Sequence, residues 1–488
     1  MDNLDLKSRV INSTAWFATT RLWMQALSWG VTLILARLLT PGDYGLYAMA
    51  LAFITLLDLL REFGLGSAII QRQDLDRRQI NAIFWIVAGT SVVLVGLSFL
   101  GAPLASRYYG EPRLVWLVRI LGVMFLLNSF GTVPYSLLTK EIDFRKRSLA
   151  EASGVVASVG TSLSLAYLGY GVWALVIGNL VKIAVQNVFL SVFCRWLPGV
   201  EVSFVDIRNI LTFGMRVAGS NAIGKLSAVA NPMIIGRFLG GPDLGLYTMA
   251  DSLGTNPFHK LSTQVINQLS FPVFSKLQRE DDQLRLYFLK ITKYLAVISL
   301  PMQVGMALVS RELVSVFLSD KWLPTVGLVQ AFSISGIFYV LALPASPLLT
   351  ARGRTDITFR LSVFGAILTT VAILIGARFG LLGVAIAWVI AFPLTRMLLL
   401  AYCLREVGLS LKKYFGTIST AVLATGLMAV TVILVRSCIP EPWGSLRLLF
   451  FGVSSGVVAY VLSLLSIDRK FGSEVLSIVQ EMFAGARA

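Results

Sequence analysis

The sequence predicts an all-α polytopic membrane protein of about 14 transmembrane helices, built as two pseudo-symmetric six-helix lobes plus a C-terminal helix pair. Three observations carry this. The 488 residues are 56% hydrophobic and 14% charged, with a mean hydropathy of +0.76. Apolar stretches of roughly 20 residues, the length that crosses a bilayer core, follow one another from end to end and leave no room for a soluble domain. Finally, one phrase occurs twice, 200 residues apart and without a gap: ARLLTPGDYGLYAMA at 36–50 and GRFLGGPDLGLYTMA at 236–250, identical at eight of fifteen positions.

Spans are expected at 10–35, 44–69, 79–101, 114–138, 148–168 and 171–194 in the first lobe, residues 1–200. The first two flank the first copy of the repeat. Those that follow are separated by charged connections at Arg72–Arg78, Arg107–Arg113 and Lys140–Arg147, and by the Gly169-Tyr170-Gly171 turn. The second lobe, residues 201–406, is expected to hold spans at 209–235, 244–274, 286–309, 322–350, 356–377 and 380–404, with the second copy again joining its first two. Pro301, Pro324, Pro344 and Pro347 interrupt the apolar run in its third and fourth members. Residues 407–488 supply 414–436, 444–466 and a tail. An even number of helices must separate equivalent points if both halves keep one orientation, and parallel halves about an axis along the membrane normal are a transporter architecture.

Charge sets the topology. Alternate connections on the side of both termini carry 25 of the 42 Lys and Arg residues, against nine on the opposite side. By the positive-inside rule both termini are cytoplasmic. The net charge of +16 is therefore topogenic rather than a nucleic-acid footprint, with headgroup contact a further role for clusters such as Lys140-Arg145-Lys146-Arg147. The start, MDNLDLKSRV, lacks the pattern of a cleaved secretory signal, so the first span is expected to be retained. Cys194, Cys403 and Cys438 are too few and too scattered for a disulfide framework, His259 is the only histidine, and no phosphate-binding glycine loop is present. No metal, no cofactor and no intrinsic ATP hydrolysis are expected.

In each copy of the repeat a Gly-Pro turn is expected to stop one helix, and Asp43 and Asp243 to cap the next. Arg37 and Arg237 read as interfacial anchors.

Eight Lys and Arg residues remain inside spans: Arg21, Arg61, Arg119, Lys182, Arg216, Lys225, Lys260 and Arg396. An ionisable group in hydrocarbon faces a partner or a wet cavity. Five of the eight fall on spans one, two, seven and eight, the segments that the repeat pairs. Arg21, Gln25 and Ser28 share a helix face that the 200-residue offset maps onto Asn221, Lys225 and Ala228, so equivalent faces each present a cation. Arg21, Arg61, Lys225 and Lys260 are the candidate cavity cations. Asp58, Glu62 and Asp251 are the acids available to pair with them or to bind a coupling ion; Asp58 and Arg61, at i and i+3, have the plainer reading of mutual neutralisation. Lys182 and Arg396 read as snorkelling residues. A net basic pocket at membrane depth fits an anionic, phosphate-bearing substrate.

The stretches LARLLTPGDYGLYAMA, FGLGSAIIQRQD (63–74), APLASRYYGEPRL (102–114), VPYSLLTKEIDFRKRS (133–148), GYGVWALVIGNL (169–180) and FPVFSKLQRED (271–281) together resemble the polysaccharide-transporter branch of the multidrug/oligosaccharidyl-lipid/polysaccharide exporter superfamily. Within it the chain is similar to Wzx-type oligosaccharide flippases of the colanic-acid-exporter kind. The resemblance implies a non-enzymatic flippase of the bacterial inner membrane. Its substrate would be an undecaprenyl-diphosphate-linked oligosaccharide repeat, for exopolysaccharide, capsule or O-antigen assembly. It implies two lobes rocking about a cationic cavity in which Arg21, Arg61, Lys225 or Lys260 meets the diphosphate. Partners would be membrane lipids, polysaccharide polymerase and export machinery. Two alternatives come from other classes: a cation-coupled drug exporter of the same superfamily, against which the excess of basic residues argues, and a membrane polysaccharide polymerase or ligase, against which the short outer connections argue.

Overall fold

A computed structural model describes residues 20, 23–61, 65–72, 74–203, 205, 207–254, 270–438 and 444–467, with backbone alone for 207–211 and 213–223. The described residues are helical without strands. Ten helical stretches among them are long and apolar enough to cross a membrane. The chain divides into two compact units, Met1–Leu246 and Tyr247–Ala488.

The first unit runs through α1 (23–38), α2 (Pro41–Arg61), α3 (Leu65–Gln71), α4 (Arg77–Tyr109), α5 (Leu114–Lys140), α6 (Phe144–Tyr167), α7 (Val172–Cys194), α8 (Ile207–Leu239) and the start of α9 (Gly241–Gly254). Polar residues set the boundaries. Asp76 and Gln79 form a reciprocal capping box at the head of α4, Gly110 closes the same helix in the left-handed region at φ 72°, and the Asp143 carboxylate accepts from the Lys146 N–H to start α6. Of the apolar run expected at 44–69, the described residues are helical in α2 up to Arg61 and in α3 from Leu65. Pro41 and Gly42 do not end a helix but begin α2. The physical reason is that the first turn needs no proline N–H and the ring presets φ. Helix α8, 33 residues long, is not among the ten apolar stretches; Asn221, Lys225 and Asn231 lower its apolarity.

The second unit continues through α10 (270–276), α11 (Asp281–Phe317), α12 (Val326–Ala342), α13 (Ala345–Ala351), α14 (Thr355–Gly376), α15 (Gly380–Glu406), α16 (Leu411–Cys438) and α17 (Ser445–Ile467). The span expected at 322–350 is a 3-10 turn, Asp320–Thr325, followed by α12 and α13, broken before Pro344. The last two helices are built into this unit. Tyr414, fully buried, donates to the Leu341 carbonyl at 2.7 Å, and Tyr460 donates to the Val297 carbonyl at 2.6 Å. Gly452 and Gly456, four residues apart on one face of α17, admit Val309 and Val432 side chains, the small-residue packing that stands in for a hydrophobic effect inside lipid. On the opposite face Leu446, Phe450, Val453, Val457 and Val461 stay exposed, as lipid-facing residues do.

Arg436 of α16 binds Glu312 of α11 at 2.6 Å and donates to the Leu308 carbonyl at 2.6 Å, with Glu312 only 6% exposed. Arg436→Ala strands that carboxylate. It is expected to cost about 2–3 kcal/mol, less than a fully enclosed pair because Arg436 is partly open. The melting temperature of the detergent-solubilised protein should fall, and fall less for Glu312→Gln; an unchanged value for Arg436→Ala contradicts this.

Candidate functional site

The two copies of the repeat meet. A Cβ on Gly45 of α2 would overlap the carbonyl oxygen of Gly241, and a Cβ on Gly245 of α9 would overlap the carbonyl oxygen of Pro41. Residues 41 and 241, and 45 and 245, are equivalent positions of the repeat, so the contact is reciprocal, the signature of a local two-fold axis. Only glycine permits so close an approach of two helix N-termini.

The capping chemistry differs between the copies. Thr40 stands at the head of α2: its Oγ1 accepts from the Asp43 N–H at 3.2 Å, while the Asp43 carboxylate accepts from the Thr40 N–H at 2.9 Å and its hydroxyl at 2.7 Å. Asp43 thus answers the cap rather than being it. The Asp243 carboxylate, at the equivalent position of α9, makes no hydrogen bond among the described residues; Gly240 stands where Thr40 does and offers neither hydroxyl nor ordinary φ (+87°).

Of the candidate cations, the structure brings two together on one acid. Arg61 Nε lies 2.6 Å from Asp58 Oδ1, one turn back along α2, and Lys225 Nζ of α8 lies 3.1 Å from Asp58 Oδ2. Asp58, Arg61 and Lys225 remain 17%, 21% and 30% exposed, so the cluster is sheltered but reachable. Asp58, Arg61 and Lys225 by themselves sum to a charge of +1, and Lys225 makes a further interaction besides. Asp58 offsets part of their mutual repulsion and fixes their positions, while the terminal guanidinium nitrogens of Arg61 make no hydrogen bond among the described residues and have donors for a second anion. Along their helices Asp58 and Lys225 lie about 26 Å and about 21 Å from the ends that carry the repeat, toward the opposite side of a core of about 30 Å. Arg21, Glu62 and Lys260 lie outside the described residues, as does the Arg216 side chain. Asp251, half-buried on α9, is engaged rather than free.

The other intramembrane cations are treated differently. Arg119 sits over the Trp116 ring at 5.3 Å and the Phe99 ring at 5.8 Å, and Arg396 over Phe392 at 4.7 Å and Tyr339 at 5.2 Å. Ring faces stabilise these guanidinium groups, with no carboxylate paired to them among the described residues. The Asp58 bridge itself was not visible in the sequence, since Lys225 is 167 residues away.

A family model described as polysaccharide biosynthesis protein matches residues 34–327. The chain belongs to that family. It is 30% identical over 380 residues to the teichuronic acid biosynthesis protein TuaB of Bacillus subtilis, covering 76% of this chain and 77% of TuaB. It is 26% identical over 415 residues to the lipopolysaccharide biosynthesis protein WzxC of Escherichia coli, 84% of each chain. Among solved structures, the lipid II flippase MurJ in an inward closed conformation superimposes with a TM-score of 0.75 at 15% identity, over 93% of this chain and 99% of MurJ. An inward-facing multidrug transporter of the MOP superfamily gives 0.65 at 17% identity, over 80% and 98%. The polysaccharide family and this transporter fold are therefore the setting in which the Asp58 cluster sits.

Proposed function

We propose that this multi-pass membrane transporter flips a lipid-linked oligosaccharide, of the undecaprenyl-diphosphate kind, across the bacterial inner membrane. The product would feed exopolysaccharide, capsule or O-antigen assembly. The chain is a transporter and not an enzyme. The observation that carries the substrate reading is the net-positive Asp58–Arg61–Lys225 cluster within the membrane span, in a member of a polysaccharide biosynthesis family. A diphosphate needs at least two cationic donors, one of them a guanidinium fork by preference, and this cluster offers both kinds. Arg21 and Lys260 would extend the same basic surface. The sugars would travel in the wetted interior and the prenyl chain would remain in lipid.

In this reading fourteen spans place both termini in the cytoplasm. Six-helix lobes at 1–200 and 201–406 rock about the site, with 407–488 attached to the second. The reciprocal contact of Gly45 and Gly245 with the opposite copy supports a closed outer end from which such rocking would start. Membrane lipids are the immediate surroundings, and polymerase and export machinery the partners that receive the product. Relatives named for teichuronic acid and lipopolysaccharide biosynthesis support the glycan-lipid substrate class.

The test is reconstitution of the full chain in liposomes containing a fluorescent undecaprenyl-diphosphate oligosaccharide. Protein-dependent transfer between leaflets, read by quenching from outside, is expected. Absence of transfer, with uptake of a fluorescent lipophilic cation instead, would replace the flippase reading by the drug-exporter one.

A further inference from the structure

The segment that joins α7 to α8, described at 195–203 and 205, is tied down along the head of α4. The Asn81 carboxamide donates from Nδ2 to the Glu201 carbonyl at 3.0 Å and accepts on Oδ1 from the Gly199 N–H at 3.2 Å. Trp85, one turn further along α4, donates from Nε1 to the Gly199 carbonyl at 2.9 Å. At the first turn the Arg78 carbonyl accepts from the Ser203 N–H at 3.1 Å, and Gln79 Nε2 donates to the Val205 carbonyl at 3.3 Å. Trp196 is buried with its ring edge-on to Phe84, centroids 5.6 Å apart, whereas Leu197, Val200 and Val205 stay exposed. One buried anchor and a ladder of polar contacts set this segment apart from a loose linker, which is solvated and has no fixed partners.

The second unit repeats the device. Helices α4 and α11 begin alike at an offset of 204 residues: Asp76 and Glu280 are the N-caps, Gln79 and Gln283 are identical, and Ile80 and Leu284 are both buried. Arg285 stands where Asn81 does, and its Nε donates at 2.5 Å to the carbonyl of Val407, in the segment that leaves α15. The approach is close in both: a Cβ on Gly199 would lie 2.7 Å from Asn81 Nδ2, and one on Gly408 would lie 2.9 Å from Arg285 Nη2. In each unit the fifth residue of α4 or α11 grips the chain as it leaves α7 or α15.

We infer that the segment 195–205 is a permanent strap, which holds the entry to α8 against the head of α4 throughout the transport cycle, so that movement between the proposed lobes starts only beyond Val205. Permanence follows from the number of bonds and from their setting. A hydrogen bond contributes a net factor of about 2–12 to an equilibrium, so the five above together hold the strap down on the order of 100-fold or more. Asn81 is 3% exposed, on a stretch of α4 where Ile80, Ile83 and Phe84 are also buried. Lifting the strap would take both partners from its carboxamide, which is costly in apolar surroundings. Since α8 carries Lys225, the strap also positions the helix that brings the second cation to Asp58. The inference goes beyond the flippase reading and rests on it only where the test reads transport.

The experiment locks the strap to α4. Asn81→Cys and Gly199→Cys are combined, with Cys194, Cys403 and Cys438 replaced. A sulfur at 81 takes the place of the asparagine Cγ, 3.6 Å from a Cβ on residue 199 and within reach of a disulfide. In liposomes carrying the fluorescent undecaprenyl-diphosphate oligosaccharide, the disulfide should form in full on oxidation and leave the flipping rate within about twofold of that of the reduced protein. A rate that falls tenfold or more on oxidation and recovers on reduction would show that the strap lifts in each turnover, and would overturn the inference; so would failure of the disulfide to form in folded protein. Hydrogen exchange of the unmodified full chain in nanodiscs needs neither variant nor transport. The Gly199 and Ser203 amides should exchange at least about 100-fold more slowly than in an unstructured peptide, with and without the lipid-linked oligosaccharide. Exchange at the rate of an open loop in either condition would contradict a permanent strap. Slow exchange in a protein that flips nothing would overturn the flippase reading and leave the strap standing.

Discussion

Lys225→Ala and Arg61→Ala are each expected to reduce polysaccharide export at least tenfold while membrane abundance stays near wild type. Either change takes the cluster from a net charge of +1 to neutral, removing the surplus that would attract a diphosphate. A lost charge-assisted hydrogen bond is worth about 1.5–3 kcal/mol, or about 10- to 150-fold. Abundance survives because Asp58 is shared: it keeps Arg61 when Lys225 is removed and Lys225 when Arg61 is removed, so neither alanine strands the carboxylate. Asp58→Ala behaves differently. It leaves two cations close together without their acid, and abundance should fall along with export. Lys225→Arg retains charge and should retain part of the activity. Pulse-labelled polymer at the cell surface, normalised to protein in isolated membranes, measures all four, and wild-type export by both alanine variants would remove the diphosphate role.

Gly45→Ala and Gly245→Ala should each lower export more than tenfold. The added methyl meets a backbone carbonyl oxygen of the other copy, an atom that cannot swing aside as a side-chain end does, so α2 and α9 must separate. Overpacking of this sort costs about 1–3 kcal/mol or more. It acts against the gain of up to about 1 kcal/mol that alanine brings to a helix interior, so a loss of function cannot come from helix propensity. Gly42→Ala is the control: a Cβ there has only Thr40 Oγ1 nearby, at 3.6 Å, an ordinary contact, and export should be unchanged. Wild-type export by Gly45→Ala and Gly245→Ala would show that the close approach is dispensable.

Much of the fold was legible because bilayer length and charge punctuation are both written locally. The apolar run at 171–194 is the helix Val172–Cys194, and that at 414–436 lies within Leu411–Cys438. Local breaks were harder. Pro41 reads as a stop until its place in the first turn is seen. The repeat announced two related halves, and glycine at both 45 and 245 was visible. That the two glycines let the copies touch depends on the pairing of distant segments, which residue spacing does not encode. The site divides in the same way. The Asp58–Arg61 pair follows from i, i+3 spacing on one helix, whereas the Lys225 arm joins helices far apart in sequence. Lys182 was recognisable as an intramembrane charge. The serines and threonine of α1 and α6 that line a cavity with it lie on other helices, which its own spacing does not encode.

The measurement that bears most directly on rocking about a closed repeat contact is crosslinking between Gly42→Cys and Gly241→Cys, with Cys194, Cys403 and Cys438 replaced. Both positions accept a side chain, and a Cβ on Gly241 lies 3.9 Å from the Gly42 carbonyl oxygen, so the pair reports the contact without forcing it apart. If transport requires the two copies to separate, a short cleavable crosslinker should form in high yield and stop export, cleavage should restore it, and a linker long enough to span the open gap should permit turnover. Efficient short crosslinking with export undiminished would show that the copies stay together throughout the cycle, and alternating access by separation of these helices would be contradicted.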